Sequence, residues 1–156
     1  MYLTILHLHS FLRWLVLICL SFALCRSYNG WFSNRHFSSF DNWVRHITAT
    51  IAHLQLILGI TLYCISPLVR YFYSNYIAAI HQREIRFFGI EHSSIMLGAI
   101  VLITIGSAKA KRRKSDKDKF RTMAVWYTIA LLVILISIPW PFSPMASRPL
   151  FRHLAR

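Results

Sequence analysis

Residues 87–108 read FFGIEHSSIMLGAIVLITIGSA, and KAKRRK follows directly at residues 109–114. Because an α-helix rises about 1.5 Å per residue, roughly 20 apolar residues are enough to cross the hydrocarbon core of a membrane. Basic residues collect at the cytoplasmic ends of such helices. The stretch therefore predicts a transmembrane helix that ends on the cytoplasmic side and carries two ionisable residues, Glu91 and His92, near its other end.

Three further apolar runs of similar length lie at residues 2–25, 46–69 and 123–142. The first is interrupted only by Arg13, and it lacks both a preceding basic segment and a cleavage pattern, so we expect it to be retained rather than removed as a signal peptide. The sequence thus predicts an all-α fold: a polytopic membrane protein with a bundle of four transmembrane helices, forming a single domain over residues 1–156.

The connecting segments differ in character. Residues 71–86 mix tyrosine and isoleucine with histidine and arginine, which predicts a short helix lying in the membrane interface. The tail at residues 143–156 follows a proline-rich stretch and should be irregular. No Cys-x-x-Cys-His motif occurs, so covalent attachment of a c-type haem is not indicated.

The composition separates this chain from nucleic-acid-binding proteins despite its net charge of +13 and pI near 10.4. Its residues are 56% hydrophobic and only 15% charged, whereas ordinary soluble domains carry about 25% charged residues. Eight basic residues fall in the loop 109–121 and three in the segment 26–45, against six outside these segments and the spans. This asymmetry places both loops in the cytoplasm and both termini outside a bacterial inner membrane, with anionic lipid headgroups as the partner of the excess charge.

Ionisable residues inside a span are costly and normally face the interior of a bundle. His9 lies roughly 6 Å, and His92 roughly 8 Å, to the outer side of the centres of their spans, so they are nearly level. His53 lies roughly 6 Å to the inner side of its span centre and is out of register with them. Arg13 follows His9 by four residues and shares its helix face.

Two imidazoles at similar depth on different helices are what a six-coordinate b-type haem requires. We predict His9 and His92 as its axial ligands, with His53 replacing one of them or contacting a proton or a quinone. Arg13 is a candidate partner for the anionic propionates, as are three arginines of the outer loop: Arg70, Arg83 and Arg86. The alternative is a structural polar network in which Arg13 and Glu91 neutralise each other.

The other histidines are predicted to have no ligand role. His7 and His46 lie near the ends of spans and should be interface residues. The loop histidines are His36, His81 and His153.

Four strings together resemble the sequences of a known family. They are ILHLHSFLRW at residues 5–14; AHLQ at residues 52–55 with Gly59 and Tyr63; FF at residues 87–88 with Glu91-His92; and IPWPF at residues 138–142. Over about residues 2–142 the chain resembles short membrane proteins of Bacteroidota-type bacteria that are labelled cytochrome b-like. More loosely, its opening helix is similar to four-helix haem proteins that include small bacterial protoporphyrinogen oxidases and copper-resistance membrane domains.

The resemblance implies a haem-binding inner-membrane protein in which His9, His53 and His92 match the histidine-bearing motifs. Two-haem respiratory cytochromes b carry paired histidines at two depths on two spans. No span here carries two well-buried histidines on one face, so at most one haem is expected.

Three functions follow as hypotheses. The preferred one is a one-haem electron carrier linked to the quinone pool or to a larger complex. A second is a non-catalytic accessory subunit of a membrane assembly. The third is a haem-dependent oxidase of a porphyrinogen or quinol, in which Arg13 would hold a substrate carboxylate and His53 would move protons.

Overall fold

Four long helices account for most of the fold in the computed structural model, which describes residues 1–144 and 146–148. Within these residues the regular structure is all helical, and four helical segments are long and apolar enough to cross a membrane. They are α1 (Tyr2–Phe32), α2 (Ser39–Ile65), the rod Arg83–Arg112 and α7 (Asp116–Ser137). The all-α class and the number of apolar helices are therefore confirmed. Part of the tail at 143–156, including His153, lies outside the described residues.

The rod Arg83–Arg112 is one continuous helical segment with a local irregularity. It begins with α5 (Arg83–Arg86), widens into a π turn (Phe87–Glu91) and continues as α6 (His92–Arg112). A π turn accommodates one extra residue and rotates the residues that follow it. His92 is the first residue after this turn, so the π turn sets the direction in which its imidazole points.

The helix ends differ from the predicted spans for local reasons. Helix α2 begins seven residues earlier than predicted, because Ser38 and Asp41 form a capping box at its first turn. It ends at Ile65 instead of continuing to residue 69, since the Ser66 side chain caps the next helix. Helix α7 ends at Ser137, before the prolines at residues 139 and 141.

The segment predicted as one short interfacial helix is broken into three pieces. They are α3 (Pro67–Ser74), α4 (Tyr76–Ala79) and α5. Val69, Phe72 and Ala79 are buried, so this segment packs onto one end of the bundle. We call this the α3 end, and the opposite end, where α6 passes into α7, the basic end.

The four long helices form a ring in which α1 contacts α2 and α7, and α6 contacts the same two helices. Small residues let the backbones approach closely at the centre of the ring. Ala23, Ala99, Ala124 and Ala130 are all fully buried. Many large apolar side chains of the four long helices remain exposed, as expected for helices that face lipid.

Near the basic end, buried charges link the helices. Asp41 is 2% exposed and accepts hydrogen bonds from Arg26 Nε at 2.8 Å and Arg35 Nη2 at 3.0 Å. Arg45 is also buried, and it donates to the Ser107 side chain and carbonyl of α6. The prediction placed these residues in a cytoplasmic loop, whereas Arg26, Asp41 and Arg45 lie within helices and hold the basic end together.

Candidate functional site

A cavity of about 470 Å³ lies between the four long helices, toward the α3 end. All four contribute to its wall. The polar lining residues include His9, Ser10 and Arg13 from α1, Gln55 and Tyr63 from α2, and His92, Ser93 and Ser94 from α6. Ile134 of α7 and Ile138, just after its end, add apolar surface. The cavity therefore combines mostly apolar walls with a small number of polar groups, as small-molecule and cofactor sites do.

The two histidines predicted to be level line this one cavity together with Arg13. The two imidazoles and the Arg13 guanidinium are close enough to interact electrostatically. The guanidinium also lies 5.4 Å from the centre of the Trp14 ring, so its cation rests against an aromatic face. The structure thus brings together three of the four site residues predicted from the sequence.

His92 is held by the neighbouring helix. Its Nδ1 lies 3.0 Å from the carbonyl oxygen of Ser137, the last residue of α7. A carbonyl only accepts hydrogen bonds, so Nδ1 carries the proton, and Nε2 has a free lone pair when the ring is neutral. Metal-binding histidines in proteins are oriented by such a bond from the other ring nitrogen.

His9 is held by α2. The side-chain amide nitrogen of Gln55 donates to the His9 carbonyl at 3.0 Å and lies 3.3 Å from Nε2 of the same residue. The other ring nitrogen, Nδ1, is buried and has no hydrogen-bond partner within the described part of the chain. His9 therefore has a buried ring nitrogen that no group of the described chain satisfies.

Gly59 allows the His9 ring to approach α2. A Cβ atom at this position would lie only 3.3 Å from Cε1 of His9. Here the group that makes the close approach is the candidate ligand His9.

His53 lies outside the cavity. Its side chain is exposed on the surface of the ring, where Nε2 lies 2.9 Å from the Thr104 hydroxyl of α6. This agrees with the depth argument that set it out of register with His9 and His92. Because its imidazole does not line the cavity, His53 cannot replace His9 or His92 there.

The remaining charged candidates do not line the cavity. Glu91 forms an ion pair with Arg86 Nε at 2.6 Å, within the same helical rod, whereas the structural alternative paired it with Arg13. Arg83 donates to the Pro144 carbonyl. Arg70 is exposed on α3. Of the four arginines considered for propionates, Arg13 is the one that lines the cavity.

Two lining residues escaped the sequence argument. Arg148 comes from the tail beyond the last span, pairs with Glu84 and lies 5.1 Å from the centre of the Phe88 ring. Tyr63 donates a hydrogen bond to the Gly89 carbonyl of the π turn at 2.6 Å. Nothing in the sequence places the tail, and with it Arg148, against the cavity. Tyr63 follows Gln55 by about two helical turns, so this spacing could have identified it as a neighbour of Gln55 on α2.

Comparisons with protein-family models, with curated proteins and with solved structures found no significant match to this chain. The described residues also contain no group of three or more His, Cys, Asp or Glu side chains arranged to hold a metal ion. A haem needs only two protein ligands for its iron, since the macrocycle supplies the other four. The observations that bear on a bound ligand are therefore the cavity itself and the two histidines that line it.

Proposed function

We propose that this chain is a multi-pass protein of the bacterial inner membrane, with both termini outside and the basic end in the cytoplasm. Four apolar helices of sufficient length support this proposal. The eight basic residues at 109–121 support the orientation, because positive residues are retained on the cytoplasmic side.

We further propose that the cavity binds one haem b, with His9 and His92 as the axial ligands of its iron. The observation that carries this proposal is that imidazoles from two different helices face one largely apolar cavity beside a cation, Arg13. The residues present fit the group: Nδ1 of His9 is buried without a partner, and the hydrogen bond to Ser137 leaves Nε2 of His92 available. The cavity volume also falls within the range of cofactor sites, about 300–1,000 Å³.

Each neighbouring residue has a defined part in this site. The Ser137 carbonyl fixes the protonation of the His92 ring, and the Gln55 amide holds α2 against the backbone of His9. Arg13 offsets the charge of anionic groups in a medium where they would otherwise be costly. Ile134 of α7 and Ile138, just after its end, would give the ligand apolar contacts.

A bound haem b would supply a centre that accepts and releases one electron at a time. We therefore propose that the protein is an electron carrier, linked to the quinone pool or to a larger membrane complex. The apolar exterior of the ring gives such a carrier direct contact with molecules dissolved in the bilayer.

Titration of the detergent-purified protein with haemin tests the haem proposal. We expect one haem per chain in the wild type, and loss of binding in His9→Ala and in His92→Ala. His53→Ala is the matched control, because its imidazole lies outside the cavity, and it should bind haem like the wild type. Equal binding by all three variants, or no binding by the wild type, would contradict the proposal.

A further inference from the structure

The wall of the cavity is exposed at one place. Its exposed lining residues within the described chain are Ile60 of α2 and Ser94 and Leu97 of α6. Ile60 is 54% and Leu97 50% exposed, whereas the other lining side chains are buried or half-buried. Ile60 belongs to α2, and Ser94 and Leu97 belong to α6, and these two helices are in contact in the ring.

The other sides of the cavity are closed by contacts between helices. The Gln55 amide joins α2 to α1, and the His92 imidazole joins α6 to α7. Between α1 and the end of α7, the rings of Trp14 and Trp140 meet at 6.1 Å in an edge-to-face contact. Packing of α3 through Val69 and Phe72 covers the end of the bundle.

Further toward the basic end, the α2–α6 seam itself is closed. The hydrogen bond between His53 and Thr104 crosses it there. His53 precedes Ile60 by seven residues and Thr104 follows Leu97 by seven, so the bond lies roughly 10 Å from the exposed pair on both helices. The α2–α6 contact is therefore bridged at His53, while the lining side chains of Ile60 and Leu97 are exposed.

We infer that the cavity opens sideways through the α2–α6 seam, between Ile60 and Leu97, and that its ligand enters from the bilayer. This inference rests on the proposed transmembrane arrangement but not on the identity of the ligand as haem. The chemical class that fits is a flat, mostly apolar molecule with an anionic or polar group. Its apolar edge would face lipid at the opening, while its polar group would lie near Arg13.

The first experiment measures ligand entry from the membrane. The protein is placed in phosphatidylcholine vesicles preloaded with haemin, and the rate of haem uptake is followed by absorbance. Leu97→Trp and Ile60→Trp should each slow uptake about tenfold, because the larger side chain obstructs the opening. A tenfold slowing corresponds to an added barrier of about 1.4 kcal/mol. Leu97→Ala should accelerate it.

Matched controls are available one turn away on each helix. Val101 and Ile57 are 47% and 59% exposed but do not line the cavity. Val101→Trp and Ile57→Trp should leave the rate unchanged, and the same two variants show whether a tryptophan on these faces is compatible with folding. Equal slowing by all four tryptophans would overturn the inference.

The second experiment does not depend on haem. A lipophilic aryl diazirine is dissolved in the vesicles and photolysed, and carbene insertion is mapped by mass spectrometry. We expect label at the cavity residues Ser10 and Arg13, reduced in Leu97→Trp and Ile60→Trp but not in Val101→Trp. Absence of label there in the wild type, or label unaffected by Leu97→Trp and Ile60→Trp, would overturn the lateral opening. The expected labelling without any haem uptake would leave the opening standing and refute the haem proposal instead.

Discussion

At the scale of single residues, the position of His9 depends on what α2 offers beside it. Gly59 leaves room for the imidazole ring, whose Cε1 would lie 3.3 Å from any Cβ at that position. We expect Gly59→Val to displace the ring and to weaken haem binding by roughly tenfold or more, as loss of support around a ligand does. Haemin titration measures the change.

Gly98→Val is the control for Gly59→Val. It makes the same substitution within a long helix, at a position where an added Cβ meets nothing within 4 Å. Its haem affinity should match that of the wild type. A similar loss in both variants would mean that valine acts through helix propensity and not through His9.

The carboxylate of Asp41 is a structural group, distant from the cavity. It is 2% exposed and joins Arg26 of α1 to the first turn of α2. Asp41→Asn removes the negative charge between two arginines and should lower the free energy of unfolding by about 2 kcal/mol. Thermal unfolding in detergent measures the loss, with Asp118→Asn on exposed Asp118 as the control. An unchanged midpoint for Asp41→Asn would remove the structural role assigned to this carboxylate.

At the scale of elements, apolar run length was enough to predict the four long helices but not their ends. Helix α2 starts at the capping box of Ser38 and Asp41. The charged residues of this segment had led to the prediction of a loop there. Ser66 and Pro67 end α2 and begin α3 inside a stretch that is still apolar. Hydropathy does not register capping, so these boundaries could not be read from it.

The π turn was also beyond prediction, because the prediction used the length of the apolar run and an extra residue does not interrupt that run. Tyr63 donates to its Gly89 carbonyl at 2.6 Å and shares a 2.7 Å hydroxyl contact with Tyr73. Tyr63→Phe should cost about 1 kcal/mol of stability, because it removes the hydrogen bond to that carbonyl. Because the turn precedes His92, haem affinity should fall as well.

Tyr71→Phe provides the comparison for Tyr63→Phe. Tyr71 is 42% exposed on α3 and lies outside the cavity wall. Its variant should unfold at the wild-type temperature and bind haem normally. If Tyr63→Phe behaved in the same way, the hydroxyl would not be positioning the turn.

At the scale of the whole molecule, the charge distribution predicts the orientation. Reporter fusions truncated after Ser115, in the connection between α6 and α7, should give fluorescent green fluorescent protein and inactive alkaline phosphatase. Fusions after Gln82, between α4 and α5, should give active phosphatase, because that enzyme folds only outside the cytoplasm. The reverse pattern at both positions would contradict the orientation.

The placement of the site was partly predictable because depth along a helix follows from residue number. His9 and His92 were expected to be level and do line one cavity, while His53 was expected out of register and lies outside it. Arg13 was also expected beside these histidines, and it lines the same cavity. What the sequence could not give was the return of Arg148 from the tail, or the opening between α2 and α6, since both depend on how separate segments pack.

The reduced-minus-oxidised absorption spectrum of the detergent-purified protein tests the central claim most directly. With His9 and His92 as axial ligands, the wild type should show the sharp α band and shifted Soret band of a low-spin haem with two imidazoles. His92→Ala should lose these features, and His53→Ala should keep them. A wild-type protein that stays colourless after haem loading, or a spectrum unaffected by His9→Ala and His92→Ala, would contradict the account.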